Sequence, residues 1–263
     1  MIRQAVILAG GRGTRLTEET TLRPKPLVEV GGAPILWHIM KLFYAQGVKE
    51  FIICLGYKGY LIKEYFANYS LHRSDVTFDF SSGEIRYHKN RAETWRVTLV
   101  DTGEDTMTGG RLKRIRSHLS DMPFYMTYGD GLADINLEHL ASSHRASGKI
   151  ATVTAVTPPG RFGALTLDEQ NQVAQFQEKP EGDHSFINGG FFVMNPTALD
   201  LVKGDDTIWE REPLETLSRT KNLNAYRHTG FWQPMDTMRD RLYLDDLWQS
   251  GNAPWKLWQE NGA

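Results

Sequence analysis

Eight consecutive residues, Leu8-Ala9-Gly10-Gly11-Arg12-Gly13-Thr14-Arg15, place three glycines within four positions beside two guanidinium groups. Glycine lets backbone N–H groups turn toward a ligand and approach it without a Cβ in the way. Successive N–H groups of that kind form a concavity that binds anions. Arg12 and Arg15 add bidentate donors matched to phosphate. The chemistry this implies is a cradle for a polyphosphate, and the alternative is a glycine turn with no ligand. Two better-known glycine patterns are excluded. After Gly11 and Gly13 the dinucleotide fingerprint needs Gly or Ala where Leu16 stands, and the Walker pattern needs Gly where Arg15 stands.

Lys25 lies between Pro24 and Pro26. Proline fixes its own φ and biases the preceding residue toward extended backbone, so Lys25 is held in place as a point charge for phosphate. A surface lysine in a rigid turn is the bland reading. Asp130 sits between Gly129 and Gly131 after the strand-like run Pro123–Tyr128. Open α/β sheets bind ligands at the carboxyl ends of their strands, and a carboxylate there suits Mg²⁺ carried by a nucleotide phosphate. The competing reading is a turn aspartate. Asp236, ahead of an amphipathic segment with Leu242, Leu244 and Leu247, reads by itself as a helix N-cap, as does Thr237. Glu178-Lys179-Pro180 reads as a charged strand end. In Phe186–Met194, Gly189 and Gly190 suggest a bulge or a ligand approaching closely.

The glycine–arginine loop followed by Pro24-Lys25-Pro26 resembles the signature of the sugar-1-phosphate nucleotidyltransferases, and the resemblance runs from Leu8 to about Trp258. It implies that Arg15, Lys25 and Asp130 carry the chemistry. It also implies that Leu8, Ala9, Gly10, Gly11, Arg12, Gly13, Thr14, Arg15, Lys25, Thr106, Arg111 and Gly129 bind the nucleotide. Whether Thr106 and Arg111 serve their own chain or a neighbouring protomer stays open. Glu178, Lys179, Asn188 and Gly189 would bind the sugar phosphate, Lys179 through the phosphate and Glu178 through a hydroxyl. Asp130 and Asp236 would hold Mg²⁺ as the cofactor. Three segments, 37–41, 107–114 and 230–237, resemble the branch that uses CTP and α-D-glucose 1-phosphate. That branch makes CDP-glucose and pyrophosphate for CDP-linked 3,6-dideoxyhexoses of O-antigen. A UTP- or dTTP-using sister and a catalytically silent nucleotide-sugar-binding subunit are the alternatives. The resemblance also implies a homo-oligomer, with a hexamer among the assemblies it allows.

Composition agrees with this. Thirty Lys and Arg against 32 Asp and Glu give a net charge of −2, so no basic field points to nucleic acid. No uncharged run is long enough for a bilayer, and no basic segment leads into an apolar helix, so neither membrane nor signal peptide is expected. One cysteine, Cys54, rules out an intrachain disulfide and suits the cytoplasm. His residues show no zinc spacing, and no Gly-x-Ser-x-Gly elbow is present.

The elements that must position these residues alternate. Gln4–Leu8 and Phe51–Leu55 are short apolar runs rich in β-branched residues, read as buried strands. Pro34 opens a helical pattern that Gly47 stops, and residues 60–66 suggest another helix. Strand–helix alternation favours a parallel sheet with helices on its faces, and the resemblance implies a Rossmann-like, mixed but mostly parallel sheet flanked by helices, the nucleotide-diphospho-sugar transferase fold. Ser81-Ser82-Gly83-Glu84 between two strand-like runs predicts a small β-hairpin excursion. Further helices are expected near 112–119, 137–146 and 209–217, further strands at 97–100, 151–156, 173–177 and 223–227. The tryptophans of the tail are expected to pack on the body or on a neighbouring subunit. Residues 1–263 read as one nucleotidyltransferase domain.

Overall fold

A computed structural model describes residues 2–158, 164–167, 172–177 and 186–259. Its centre is a seven-stranded sheet. The strands are β1 (Gln4–Leu8), β2 (Glu50–Leu55), β3 (Arg96–Asp101), β4 (Phe124–Tyr128), β5 (Ala151–Val156), β6 (Ile187–Met194) and β7 (Leu223–His228). Their order across the sheet is β7-β5-β6-β4-β1-β2-β3. β1 runs parallel to both β2 and β4, β2 to β3, and β5 to β7. Only β6 runs against its neighbours β4 and β5. The sheet is therefore mixed and mostly parallel, as expected.

Strand alternation divides β1 between two cores. Ala5 and Ile7 enter one with Leu36, Ile39 and Phe43 from helix α1 (Ile35–Ala45). Val6 and Leu8 enter the other with Leu112 from helix α2 (Thr108–Arg114) and with Trp209 and Leu217. Cys54 is fully buried in this second core, and burial pushes its thiol up to about 12. It is an inert core residue. Helix α3 (Leu137–Ser147) packs on the first core and is capped by the Asn136 side chain, which accepts from His139 N. Two more helices follow, α4 (Glu212–Arg219) and α5 (Met238–Gln249). The sequence pattern starts α4 at Trp209, whereas the chain turns helical only at Glu212. Pro213 stands in its first turn, where the missing N–H costs nothing.

The tail packs on the body. Trp255 is fully buried, and its Nε1 donates to His38 Nδ1 at 3.3 Å. The other ring nitrogen of His38 lies 2.7 Å from Val30 O, so Nε2–H donates there and the ring is neutral. Burial lowers the His38 pKa to about 4, from an ordinary 6.5. A folded-state pKa below the unfolded one gives stability that is present above pH 6.5 and lost as pH falls toward 4. The loss amounts to about 3 kcal/mol. Urea unfolding at pH 7 and pH 4.5 should show a smaller pH dependence in His38→Gln, which cannot titrate.

The expected hairpin is a two-stranded ribbon, Ser74–Asp79 with Glu84–Asn90, separate from the main sheet. Val76 pairs with Tyr87 and Phe78 with Ile85, so these four share one apolar face. Phe78, Ile85 and Tyr87 are each about half exposed, and Phe80 at the tip is 93% exposed.

Candidate active site

The glycine loop leaves the carboxyl end of β1. Ala9 N donates to Cys54 O, and Gly129 N donates to Leu8 O, so the ends of β2 and β4 flank it. A side chain would be resisted at two of these glycines. A Cβ on Gly10 would fall 2.3 Å from the Arg111 guanidinium, and Gly13 adopts φ +62° against Thr20 and Lys25. Arg111 is buried in the wall. Its Nη1 donates to Leu55 O, Thr102 Oγ1 and Gly103 O, and its Nη2 to Gly10 O and Glu104 O, at 2.7–3.1 Å. One side chain thus ties the ends of β1, β2 and β3 together. Burial lowers its pKa.

Pro24 is extended at φ −66° and ψ 147°, and a 3₁₀ turn begins at Lys25. This sends the lysine inward, where the residue is only 9% exposed. Its Nζ donates to Asp130 Oδ2 at 2.7 Å and to Asp236 Oδ1 at 2.8 Å. Burial alone would lower the Lys25 pKa, but Asp130 and then Asp236 outweigh it and the net shift is upward. Arg15 Nη1 reaches the other oxygen of Asp236 at 2.7 Å from a largely exposed position.

Backbone pairing brings the two carboxylates together across more than 100 residues of chain. Strand Trp232–Pro234 pairs antiparallel with Gly131–Ala133, and Met235 N donates to Asp130 O. The cap of α5 is Thr237, in a capping box with Asp240. Asp240 Oδ2 also accepts from Asp236 N at 3.1 Å. The helix start is therefore satisfied without the Asp236 side chain, which is turned to Lys25 and Arg15.

Two cavities open on either side of this knot. The first, about 350 Å³, is lined by Leu8, Ala9, Gly10, Gly11, Gly13 and Thr14 on one wall. Thr106, Thr108 and Arg111 form another wall, and Lys25, Gly129, Asp130 and Asp236 the floor. The second, about 340 Å³, is lined by Asn188, Gly189, Glu210 and Trp232. Arg15, Tyr128, Asp130 and Asp236 border both. Asn188 Oδ1 accepts from Gly190 N, and Trp232 Nε1 donates to Gly189 O at 2.7 Å, which fixes that wall.

Among the described residues, the sequence-derived ones thus converge, Arg12 excepted. Arg12 points away from the first cavity and pairs with Asp105 at 3.0 Å and Glu104 at 3.4 Å. Glu178 and Lys179 lie outside the described residues. Tyr128, Thr108, Glu210 and Trp232 were not legible as site residues. Tyr128 directly precedes Gly129-Asp130, which is a usable signal, but nothing local marks Glu210. Thr108 is not a side-chain cap for α2. Its hydroxyl donates to Glu210 Oε2 instead.

Comparison with known proteins shows the family of the chain. The family model described as "Nucleotidyl transferase" matches residues 4–233. The chain is 59% identical over 257 residues to "Glucose-1-phosphate cytidylyltransferase" of Salmonella typhi, covering 97% of this chain and all of that one. Among solved structures, HddC from Yersinia pseudotuberculosis complexed with GMP-PN superposes with a TM-score of 0.69 at 21% identity, covering 94% of this chain and all of that one. The inositol-1-phosphate CTP transferase from T. maritima superposes with a TM-score of 0.66 at 16% identity, covering 97% of each chain. These two likenesses show the fold. A family model that matches most of the chain and 59% identity over nearly its full length lead to one conclusion: the chain belongs to the nucleotidyl transferase family, among the glucose-1-phosphate cytidylyltransferases.

Proposed function

We propose that the chain transfers a cytidylyl group from CTP to α-D-glucose 1-phosphate, giving CDP-glucose and pyrophosphate. The observation that carries this is the shared border of the two cavities, where Asp130, Asp236 and Arg15 meet and Lys25 binds both carboxylates from the first cavity. The name of the Salmonella relatives supplies the base and the sugar. Nucleotide phosphates lie against the glycine loop, and the hexose lies beside Asn188 and Gly189. A phosphate oxygen of the sugar attacks the α-phosphorus of CTP. A new P–O bond forms there as the bond to the β-phosphate bridging oxygen breaks, and pyrophosphate leaves opposite. Phosphoryl-type transfer asks the protein mainly for position and charge neutralisation. Lys25 and Arg15 neutralise charge moving onto the leaving group. Gly10, Gly11, Gly13 and Thr14 hold the nucleotide, and Arg111 acts through the loop it braces. Thr106 adds a hydroxyl to the same wall. Glu178 and Lys179 bind the sugar and its phosphate by resemblance.

Asp130 and Asp236 are hard oxygen donors that converge on one point, the Lys25 ammonium. Among the described residues no group of three or more metal-binding side chains occurs. Two carboxylates suit Mg²⁺, which keeps waters and takes substrate phosphate oxygens as its other ligands. Bound there, Mg²⁺ would neutralise phosphate charge as a Lewis acid. The product would supply CDP-linked 3,6-dideoxyhexoses for O-antigen in the cytoplasm. Among the described residues no helix is long and apolar enough to cross a membrane.

The decisive test is pyrophosphate release from glucose 1-phosphate with CTP, UTP and dTTP in parallel. CTP should be strongly preferred. Preference for UTP or dTTP would assign the chain to a sister activity, and silence with all three would leave the regulatory-subunit alternative.

The chain is also proposed to form a homo-oligomer in which the ribbon contacts a second copy. An isolated two-stranded hairpin is at best marginally stable, and this one exposes an apolar face. Phe78→Ser with Phe80→Ser should lower the particle mass measured by light scattering. A wild-type monomer would contradict the proposal.

A further inference from the structure

Glu210 stands on the turn before α4 and lines the second cavity, yet neither the glycine loop nor the lysine–aspartate knot involves it. Its carboxylate is held from two sides. Thr108 Oγ1 donates to Oε2 at 2.6 Å, and the Tyr128 hydroxyl donates to Oε1. Trp209 N in turn donates to Thr108 Oγ1 at 2.9 Å, which aims that hydroxyl at Glu210. Asn188 Nδ2 approaches the Tyr128 oxygen at 3.4 Å from the same cavity. Burial and then the charge of Glu210 push the Tyr128 pKa upward, so the phenol stays a donor. A carboxylate has about four acceptor sites, and these two hydroxyls use two of them. Glu210 remains half-buried at the cavity wall. The rest of its acceptor capacity faces space sized for a ligand, and the ligand that suits a fixed acceptor is a hydroxyl donor.

We propose that Glu210 is a sugar-specificity residue. Its carboxylate accepts a hydrogen bond from one hydroxyl of the hexose in the second cavity, and Tyr128 and Thr108 set its orientation. This rests on the cytidylyl-transfer reading above. A site built to accept from a particular hydroxyl discriminates strongly against an analogue lacking it, because the polar group is then left unpaired.

The test pairs a deletion in the protein with deletions in the substrate. Wild type and Glu210→Gln are assayed with CTP, Mg²⁺ and either glucose 1-phosphate or its 2-, 3-, 4- and 6-deoxy analogues. In the wild type, one analogue should lose roughly 10–100-fold in kcat/KM, the range for a hydrogen bond to a charged group. Glu210→Gln should lose a comparable factor with glucose 1-phosphate and little more with that one analogue, while the other three fall in parallel. Tyr128→Phe, which frees one carboxylate oxygen from its orienting donor, should weaken the same discrimination in part. It serves in place of Glu210→Gln if that variant does not fold. A purely structural role would lower all five substrates by the same factor, and that result overturns the assignment. So does a wild type indifferent to every deoxy analogue. A wild type that turns over no glucose 1-phosphate at all overturns the cytidylyl-transfer reading, and this assignment falls with it.

Discussion

Lys25→Ala should lower turnover by roughly 10²–10³-fold, the loss expected when one preorganised charge donor is removed from a developing anion. The side chain touches both carboxylates at the border of the two cavities and is nearly buried there. Arg15 also reaches Asp236, but from a largely exposed position. The fold also feels the change, since Asp130 and Asp236 would face one another without the cation between them. Both are partly exposed, so the cost is discounted to about 1–3 kcal/mol. Thermal unfolding in EDTA should therefore show a lower midpoint than wild type. Added Mg²⁺ should restore more of it in the variant, because a divalent ion can take over the neutralisation. Unchanged turnover would remove Lys25 from the chemistry. A midpoint indifferent to Mg²⁺ would argue that the carboxylates hold no metal. The ammonium itself stays charged over the working range. Its folded pKa lies above 10.5, so its contribution to stability is complete below pH 10.5 and is lost only as pH rises through the raised value.

Asp236→Ala should raise the Mg²⁺ concentration for half-maximal rate at least about 10-fold, the scale on which metal-site changes act. It should also release Arg15 from its 2.7 Å contact. Its effect on folding should be small, because Thr237 and Asp240 together satisfy the start of α5. Thr237→Ala is the matched control. Losing that cap costs about 1 kcal/mol and lowers the melting temperature, with the Mg²⁺ requirement unmoved. Titrating MgCl₂ against initial rate in both variants separates a metal ligand from a cap. If Asp236→Ala melts early and keeps the wild-type Mg²⁺ curve, the cap reading is the correct one.

The division between what the sequence displays and what it hides follows the range of the interactions. The loop from Leu8 to Arg15, Lys25 between its prolines and Asp130 between its glycines are all local patterns, and all but Arg12 border the first cavity. Asp236 is different. From sequence it serves equally as a cap or as a ligand, and only the pairing of Trp232–Pro234 with Gly131–Ala133 turns it toward Asp130. Arg111 reads as one more basic residue of a helix, because the carbonyls it braces come from three separate strand ends. Glu210 lies in a stretch whose periodicity predicts helix. Pro213 delays that helix and leaves the carboxylate on a turn facing Tyr128. The parallel strands follow from alternation with helices, whereas the antiparallel β6 depends on contacts with β4 and β5 that no local pattern encodes.

The most direct measurement is a crystal structure of the protein with Mg²⁺ and CDP-glucose. The account predicts the diphosphate between Gly11 and Lys25, with the cation on Asp130 and Asp236. It places cytidine in the first cavity and glucose beside Asn188 and Glu210. A diphosphate bound away from Lys25 and Asp130, or a sugar seated in the glycine cavity, would contradict it.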